Sequence, residues 1–402
     1  MSQRKSPEKL YFDEISLDTH EELSDYILLN LRKILDHRKQ FDIPVIGIAG
    51  TEGKSTTKRM LATILSQFGH VLETPLDCST ASAVTATLLK LNKTHQYALL
   101  ELGIINPQQF ELAVSVAEPN IGIVTNIGEA HLASQGDKYL IADAKVELVR
   151  NLPEEGFAIL NMDDDLVSAM DKFSHTRRII KFGLNTNAHF YASNIRYLGP
   201  EGIEFLLNDF YRFHLHVYSS AFIYNALAAI AAARVLGIEF PSIRDVLEEK
   251  FNVLEHRGNL ITAQDIFFLD YTYDTTTNSV SKVCESLVQF RPYSNLLVLV
   301  IGDISDPGPR VSETHLKAGY YISALPIDVI ITVGEGARFI AEGIRQINHT
   351  NKIVKVCRDP REVPDTLQPF LEPRTTVLMT GSRHLQLDQL WAQVLPGVGI
   401  TA

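Results

Sequence analysis

Apolar positions follow two rhythms along this chain, and each rhythm predicts a different kind of element. Over residues 21–39, Leu23, Ile27, Leu31 and Ile34 fall at helical spacing and predict one amphipathic helix. From Pro44 the pattern becomes strand, glycine turn, helix. Residues 45–49 form a short apolar run, 50–53 the turn, and 55–68 an amphipathic helix. Apolar runs at 97–100, 121–125 and 157–160 predict further strands separated by helical stretches. That alternation predicts an α/β domain with a mainly parallel sheet. Residues 189–217 break the rhythm: apolar and polar positions alternate through Phe213-His214-Leu215-His216-Val217, which predicts antiparallel strands inserted or added at an edge. An alanine-rich helix over 221–236 leads to a break near 254–259. Strands predicted at 266–270, 296–301, 329–333, 353–356 and 376–379 then alternate with helices, the rhythm of a doubly wound, Rossmann-like sheet. The expected division is an N-terminal helical segment at 1–43, a central α/β domain at 44–254 and a C-terminal Rossmann-like domain at 255–402.

Composition narrows this picture. A chain of 402 residues suits two or three domains, and 45% hydrophobic content without low-complexity tracts is that of a globular enzyme. The longest apolar runs, at 294–301 and 327–333, are too short to span a bilayer and fit buried strands. Residues 1–9 are polar and charged, with no secretory core. Cys78, Cys284 and Cys357 are odd in number and far apart, so buried free thiols and a cytoplasmic location are expected. A formal charge of −11 argues against nucleic-acid and membrane partners. It does not exclude an anionic ligand held by local dipoles.

Gly50-Thr51-Glu52-Gly53-Lys54-Ser55-Thr56 stands between the first predicted strand of the central domain and its helix. Glycines let the backbone N–H groups turn towards a polyphosphate, and the helix N-terminus adds positive potential. Lys54 would reach the outer phosphates and the Ser55 hydroxyl would ligate Mg²⁺. The plainer alternative is a glycine turn with an exposed lysine; strand, loop and helix agreeing with the motif favour the phosphate reading. Glu101 ends another apolar run, where a carboxylate points into the crevice of a parallel sheet. Alone, such a glutamate is ordinarily just solvated.

The spacing of the loop is unusual. A standard P-loop carries a glycine five positions before its second glycine, where this chain has Ile48; the glycine lies three before, at Gly50. This shorter form resembles the signature of the Mur ligases and their folylpolyglutamate synthase relatives. Gln40-Phe41-Asp42-Ile43-Pro44, Thr57-Lys58 and Asn126-Ile127-Gly128-Glu129-Ala130-His131-Leu132 are similar to the MurF branch, the UDP-N-acetylmuramoyl-tripeptide–D-alanyl-D-alanine ligases. The likeness runs from about residue 25 to 395.

The resemblance implies an ATP-dependent ligase that joins an acid to an amino-acid or peptide amine through an acyl-phosphate. It implies ATP contacts at Gly50, Thr51, Glu52, Gly53, Lys54, Ser55, Thr56, Asn126, Asn225, Arg257 and Asp270. It implies two Mg²⁺ ions on Ser55, Glu101, His131 and Lys145, with Lys54, Glu101, His131 and Lys145 as the catalytic set. Lys145, in Ala144-Lys145-Val146-Glu147, matches a lysine that is carbamylated in many Mur ligases; the plainer alternative is a surface lysine.

The departures are specific. Ala221 and Phe222 stand where MurF proteins have His-Asn, Tyr273-Asp274-Thr275-Thr276-Thr277 replaces Tyr-Asn-Ala-Asn-Pro, and Thr380 replaces the lysine of Lys-Gly-Ser-Arg. Residues 1–43 cannot form the N-terminal UDP-binding domain of a full MurF ligase, so the expected acid is other than UDP-N-acetylmuramoyl-tripeptide. Two rival expectations stand beside this one: a cell-wall ligase with a reduced N-terminus, and an inactive nucleotide-binding subunit. A partner protein or homo-oligomer fits either.

Overall fold

The computed structural model describes residues 20–104, 106–128, 138–305, 307–308, 310–347 and 351–395, with side chains from residue 27 onward. It divides into two compact units: Met1–Ile127, Tyr139–Phe190 and Asn225–Ile243 form unit 1, and Gly128–Lys138, Tyr191–Tyr224 and Arg244–Ala402 form unit 2.

Unit 1 is built on strands β1 (Val45–Ala49), β2 (His70–Glu73), β3 (His95–Glu101), β4 (Ile121–Val124), β5 (Phe157–Asn161) and β6 (Ile179–Gly183). They run parallel in the order β2-β3-β1-β4-β5-β6. The strands β1 and β4 are buried throughout, as their unbroken apolar runs require of the centre of a parallel sheet. Register sets Ile48 beside Glu101 and Ala49 beside Val124, so the residues that follow these strands emerge along one edge. The helix Lys138–Arg150 lies close against the sheet because Gly47 and Gly122 leave room for Leu148. A Cβ at Gly47 would stand 3.1 Å from the Leu148 Cδ1. This close approach fixes the position of Lys145 on the same helix.

Unit 2 holds an antiparallel group, β7 (Phe190–Tyr197), β8 (Ile203–Leu207) and β9 (Tyr211–Leu215), as the alternating pattern of 189–217 predicts. Its larger sheet has β10 (Asn259–Ala263), β11 (Ile266–Tyr271), β12 (Leu296–Gly302), β13 (Val329–Val333), β14 (Ile353–Cys357) and β15 (Thr375–Thr380). The order is β10-β11-β15-β12-β13-β14, parallel except for the β10–β11 hairpin. Alternate residues of β12 enter separate cores: Leu297, Leu299 and Ile301 pack on one side, Val298 and Val300 on the other with Trp391. Burial on both faces explains why this strand reads as a continuous apolar run.

Three strands escape the hydrophobic pattern. The β2 strand is mostly exposed at a sheet edge, β6 is half-buried over most of its length, and β10 pairs through a two-residue turn at Gln264 and Asp265. Both turn residues are left-handed, with φ of 52° and 62°, a hairpin geometry that ordinarily announces itself by Asn-Gly or Asp-Gly.

Candidate active site

The β1 strand ends at Ala49 and the chain turns through Gly50 and Gly53, with φ of +148° and +80°, into the helix Lys54–Leu65. Neither glycine tolerates a side chain. A Cβ on Gly50 would lie 1.8 Å from the Thr125 Oγ1, and one on Gly53 would lie 2.3 Å from the Asn225 Oδ1. The loop is also pinned from β4: Thr51 N–H donates to the Asn126 carbonyl (2.9 Å) and Glu52 N–H to the Asn126 Oδ1 (2.9 Å). Asn126 Nδ2 and Thr125 Oγ1 both donate to the Glu52 carbonyl, at 3.0 and 2.6 Å. The Asn126 amide therefore holds the shape of the loop. Asn225 accepts from the Thr57 hydroxyl at 3.3 Å, which sets it against the first turn of the helix.

Lys54 is half-buried, and its Nζ donates to the carbonyls of Gly50 (3.0 Å) and Thr51 (3.1 Å). The side chain is folded back over its own loop.

Glu101, at the end of β3, is 3% exposed rather than solvated. Its Oε1 accepts from the Ser55 hydroxyl at 3.0 Å, and its Oε2 is buried without a hydrogen bond. A buried carboxylate whose second oxygen makes no hydrogen bond and has only the Lys58 amine near it, at 3.3 Å, stands beside the P-loop serine as oxygen donors of the kind a hard cation takes. Among the described residues no three His, Cys, Asp or Glu side chains converge as a closed cage. One carboxylate and one hydroxyl suit Mg²⁺, which takes its remaining oxygens from water and phosphate.

Lys145 is 1% exposed, so the surface-lysine alternative does not hold. Its Nζ donates to the Thr51 hydroxyl at 3.0 Å, tying the helix to the phosphate loop. Burial, reinforced by the nearby Lys54 charge, pushes the Lys145 amine well below the usual lysine range; Asp164 and Glu52 pull the other way more weakly. His131 lies outside the described residues.

Sequence reasoning passed over several groups at this edge. Asn161, closing β5, donates to the Thr125 carbonyl at 2.8 Å. Asp164 accepts from Ile127 N–H at 2.7 Å and caps the short helix Asp165–Ser168. Asn161-Met162-Asp163-Asp164 directly after an apolar strand is the signal that could have found them. Lys58, within the Thr57-Lys58 pair, is buried and 3.3 Å from the Glu101 Oε2.

In unit 2 the β10–β11 pairing sets Asn259 opposite Asp270, and the Gly258 N–H donates to the Asp270 carbonyl at 2.7 Å. The Asp270 Oδ1 accepts from the Thr272 N–H (3.0 Å) and hydroxyl (2.6 Å), and its Oδ2 pairs with the His256 Nδ1 at 2.7 Å. The Arg257 guanidinium lies over the Tyr273 ring, 3.6 Å from its centroid, and Arg383 lies 5.2 Å from the same ring. Two of the departures meet in one place: the hydroxyls of Thr275 and Thr380, both fully buried, bond to each other, and Thr380 also donates to the Tyr271 carbonyl at 3.1 Å. At the carboxyl ends of β12, β13 and β15 a cavity of about 410 Å³ is lined by Asp303, His315, Glu335, Ser382 and His384. Both His315 nitrogens are committed: Nε2 accepts from Ile304 N–H at 3.0 Å and Nδ1 bonds the Val311 carbonyl at 2.7 Å. Burial lowers its pKa and keeps it neutral.

A glycine loop on a helix N-terminus, a loop serine bonded to a strand-end carboxylate and a second α/β unit define a P-loop nucleotide-dependent enzyme. Residues 48–233 match the Mur ligase middle domain and residues 256–383 the Mur ligase glutamate ligase domain. The chain belongs to the Mur ligase family and is an ATP-dependent ligase that forms a carbon–nitrogen bond. It is similar to the UDP-N-acetylmuramoyl-tripeptide–D-alanyl-D-alanine ligase of Synechocystis, at 29% identity over 89% of this chain and 76% of that one. The Escherichia coli ligase of the same name is 28% identical over 88% of this chain and 77% of its own. MurF from Acinetobacter baumannii superposes with a TM-score of 0.82 at 28% identity, covering 94% of this chain and 81% of that one. The MurF ligase of Thermotoga maritima, solved with ADP, shares the fold with a TM-score of 0.79 at 19% identity, covering 97% of this chain and 86% of that one. No helix among the described residues is long and apolar enough to cross a membrane.

Proposed function

We propose that this chain activates a carboxylic acid as its acyl-phosphate and passes the acyl group to the amine of an amino acid or peptide. The observation that carries the reading is the buried Glu101, bonded to the P-loop Ser55 through one oxygen and making no hydrogen bond through the other. Loop N–H groups hold the ATP phosphates, and Lys54 exchanges the Gly50 and Thr51 carbonyls for the outer phosphate oxygens. A carboxylate oxygen of the acid attacks the γ-phosphorus as the bond to ADP breaks. The amine then attacks the acyl carbon, loses a proton, and phosphate departs with that carboxylate oxygen.

Ser55 and Glu101 would hold one Mg²⁺, and Glu101, His131 and a carbamylated Lys145 a second. When bound, Mg²⁺ neutralises the like charges of carboxylate and phosphate. The neutral Lys145 amine favoured by its burial is the form that attacks CO₂, giving a carbamate with loss of a proton. From unit 2, Arg257 is proposed to clamp phosphate and Asp270 to reach the nucleotide through the oxygen it shares with His256. The amine is proposed to dock in the unit 2 cavity, where Asp303 and Glu335 supply negative charge to an ammonium.

Acid and amine pairs are screened for ADP and phosphate release, with UDP-N-acetylmuramoyl-tripeptide and D-alanyl-D-alanine as one arm. That arm also tests the expectation that the acid is a different one. For an active pair, carboxylate labelled with ¹⁸O should deliver one label to phosphate. Label retained in the amide product alone would rule out the acyl-phosphate route. Failure of every pair to turn over ATP, with nucleotide bound, would favour the inactive-subunit reading.

A further inference from the structure

Lys58 lies one turn beyond Lys54 on the helix Lys54–Leu65, and it is 3% exposed. Its Nζ donates to the Thr74 carbonyl (2.7 Å), the Thr74 hydroxyl (3.3 Å) and the Pro75 carbonyl (3.3 Å). The same Nζ stands 3.3 Å from the Glu101 Oε2, the oxygen without a hydrogen bond. Every one of these neighbours can accept a hydrogen bond, which matches the three donors of a lysine ammonium. Thr74 links the two ends, because its hydroxyl also accepts from Glu101 N–H at 3.0 Å. A buried cation is thus built against the carboxylate proposed to hold Mg²⁺.

We propose that Lys58 is the resident counter-ion of Glu101 and makes the metal site depend on nucleotide. The inference rests on the reading of Ser55 and Glu101 as the Mg²⁺ ligands. Without nucleotide, Lys58 offsets the charge of Glu101 and leaves a divalent cation little to bind. The ATP phosphates supply the missing negative charge, so Mg²⁺ enters with the nucleotide and not before it. The fixed ammonium then limits how tightly the ion is held, which suits an ion that leaves with its product.

The test is equilibrium dialysis with Mn²⁺ as the probe, with and without a non-hydrolysable ATP analogue. Lys58→Gln removes the charge but keeps a donor for the Thr74 carbonyl; Lys58→Met is the second neutral variant should the first not fold, and Lys58→Arg keeps the charge. Without nucleotide, the wild type and Lys58→Arg should retain no Mn²⁺ at millimolar concentration. Lys58→Gln should retain it at least about tenfold more tightly, since a unit charge a few ångströms away is worth that much in a partly buried site. The gain should vanish when Glu101→Gln is added. A gain of binding is not what structural damage produces. Equal retention by wild type and Lys58→Gln without nucleotide would overturn the proposal, as would a gain that survives Glu101→Gln. With the analogue present, both proteins should bind Mn²⁺; its absence there in the wild type would remove the metal reading itself, and this inference with it.

Discussion

Lys54 and Lys145 are neighbouring lysines to which opposite tasks are proposed. Lys54 rests on loop carbonyls, which phosphate oxygens would replace on the proposed reading. Lys54→Ala should therefore fold normally by circular dichroism and lose ATP turnover by about 10²–10³-fold, the usual cost of one charge-stabilising donor in an active site. Near-normal turnover in a folded variant would refute the phosphate-loop assignment. Lys145 instead sits where burial and Lys54 disfavour its charge, so its neutral form prevails at lower pH than for an exposed lysine. In ¹³C-bicarbonate the wild type should show a carbamate carbonyl resonance that strengthens with rising pH, as the amine loses its proton. Lys145→Ala should lack the resonance and be inactive. A wild-type spectrum without it across that range would remove the carbamate.

At the scale of elements, a single side chain often positions a whole segment. Leu148 seats its helix against Gly47 and Gly122, and that seat delivers Lys145 to Thr51. The Thr125–Asn126 pair after β4 shapes a loop that follows β1. In unit 2 the Thr275 and Thr380 hydroxyls satisfy each other in a fully buried spot, joining the segment after β11 to the end of β15. Changes at two distant sequence positions have become one interaction. Thr380→Ala should cost about 1–2 kcal/mol, because it removes a donor from the Tyr271 carbonyl and leaves the Thr275 hydroxyl buried without this bond; Thr275→Ala should cost less, because Thr380 keeps the Tyr271 carbonyl. The double substitution should cost less than the sum, with a coupling of about 1 kcal/mol. Urea denaturation followed by tryptophan fluorescence measures this in unit 2 specifically, since the only tryptophan of the chain, Trp391, is buried there. Strict additivity would show that the two hydroxyls do not act together.

For the whole molecule, a net charge of −11 coexists with a site for a polyphosphate. On the proposed reading such binding relies on loop N–H groups and a helix terminus, short-ranged and fixed by the backbone, and needs no basic surface. Raising salt from about 50 to 200 mM should change ATP affinity by less than about threefold, whereas a protein neutralising many phosphates along a nucleic acid loses about 10³-fold or more over that range. A steep salt slope in an ATP titration would point to an extended basic surface instead.

The sequence by itself determined the parts whose physics is local. Buried parallel strands must be apolar along their length, so β1, β4, β12 and β13 were legible, and the glycine loop announced its own turn. The antiparallel group in unit 2 showed through its alternation. Exposed or half-buried strands such as β2, β6 and β10 gave no such signal, because water imposes no pattern on a side chain it can reach. Tertiary structure alone decided the contacts between segments. Nothing local says that Lys145 is buried on Thr51, that Asn126 bonds to Glu52, or that Lys58 lies against the open oxygen of Glu101. Those pairs are 94, 74 and 43 positions apart, brought together by the order in which the strands pair. Sequence names the groups a site needs, whereas their burial, and with it their charge and reactivity, belongs to the packed fold.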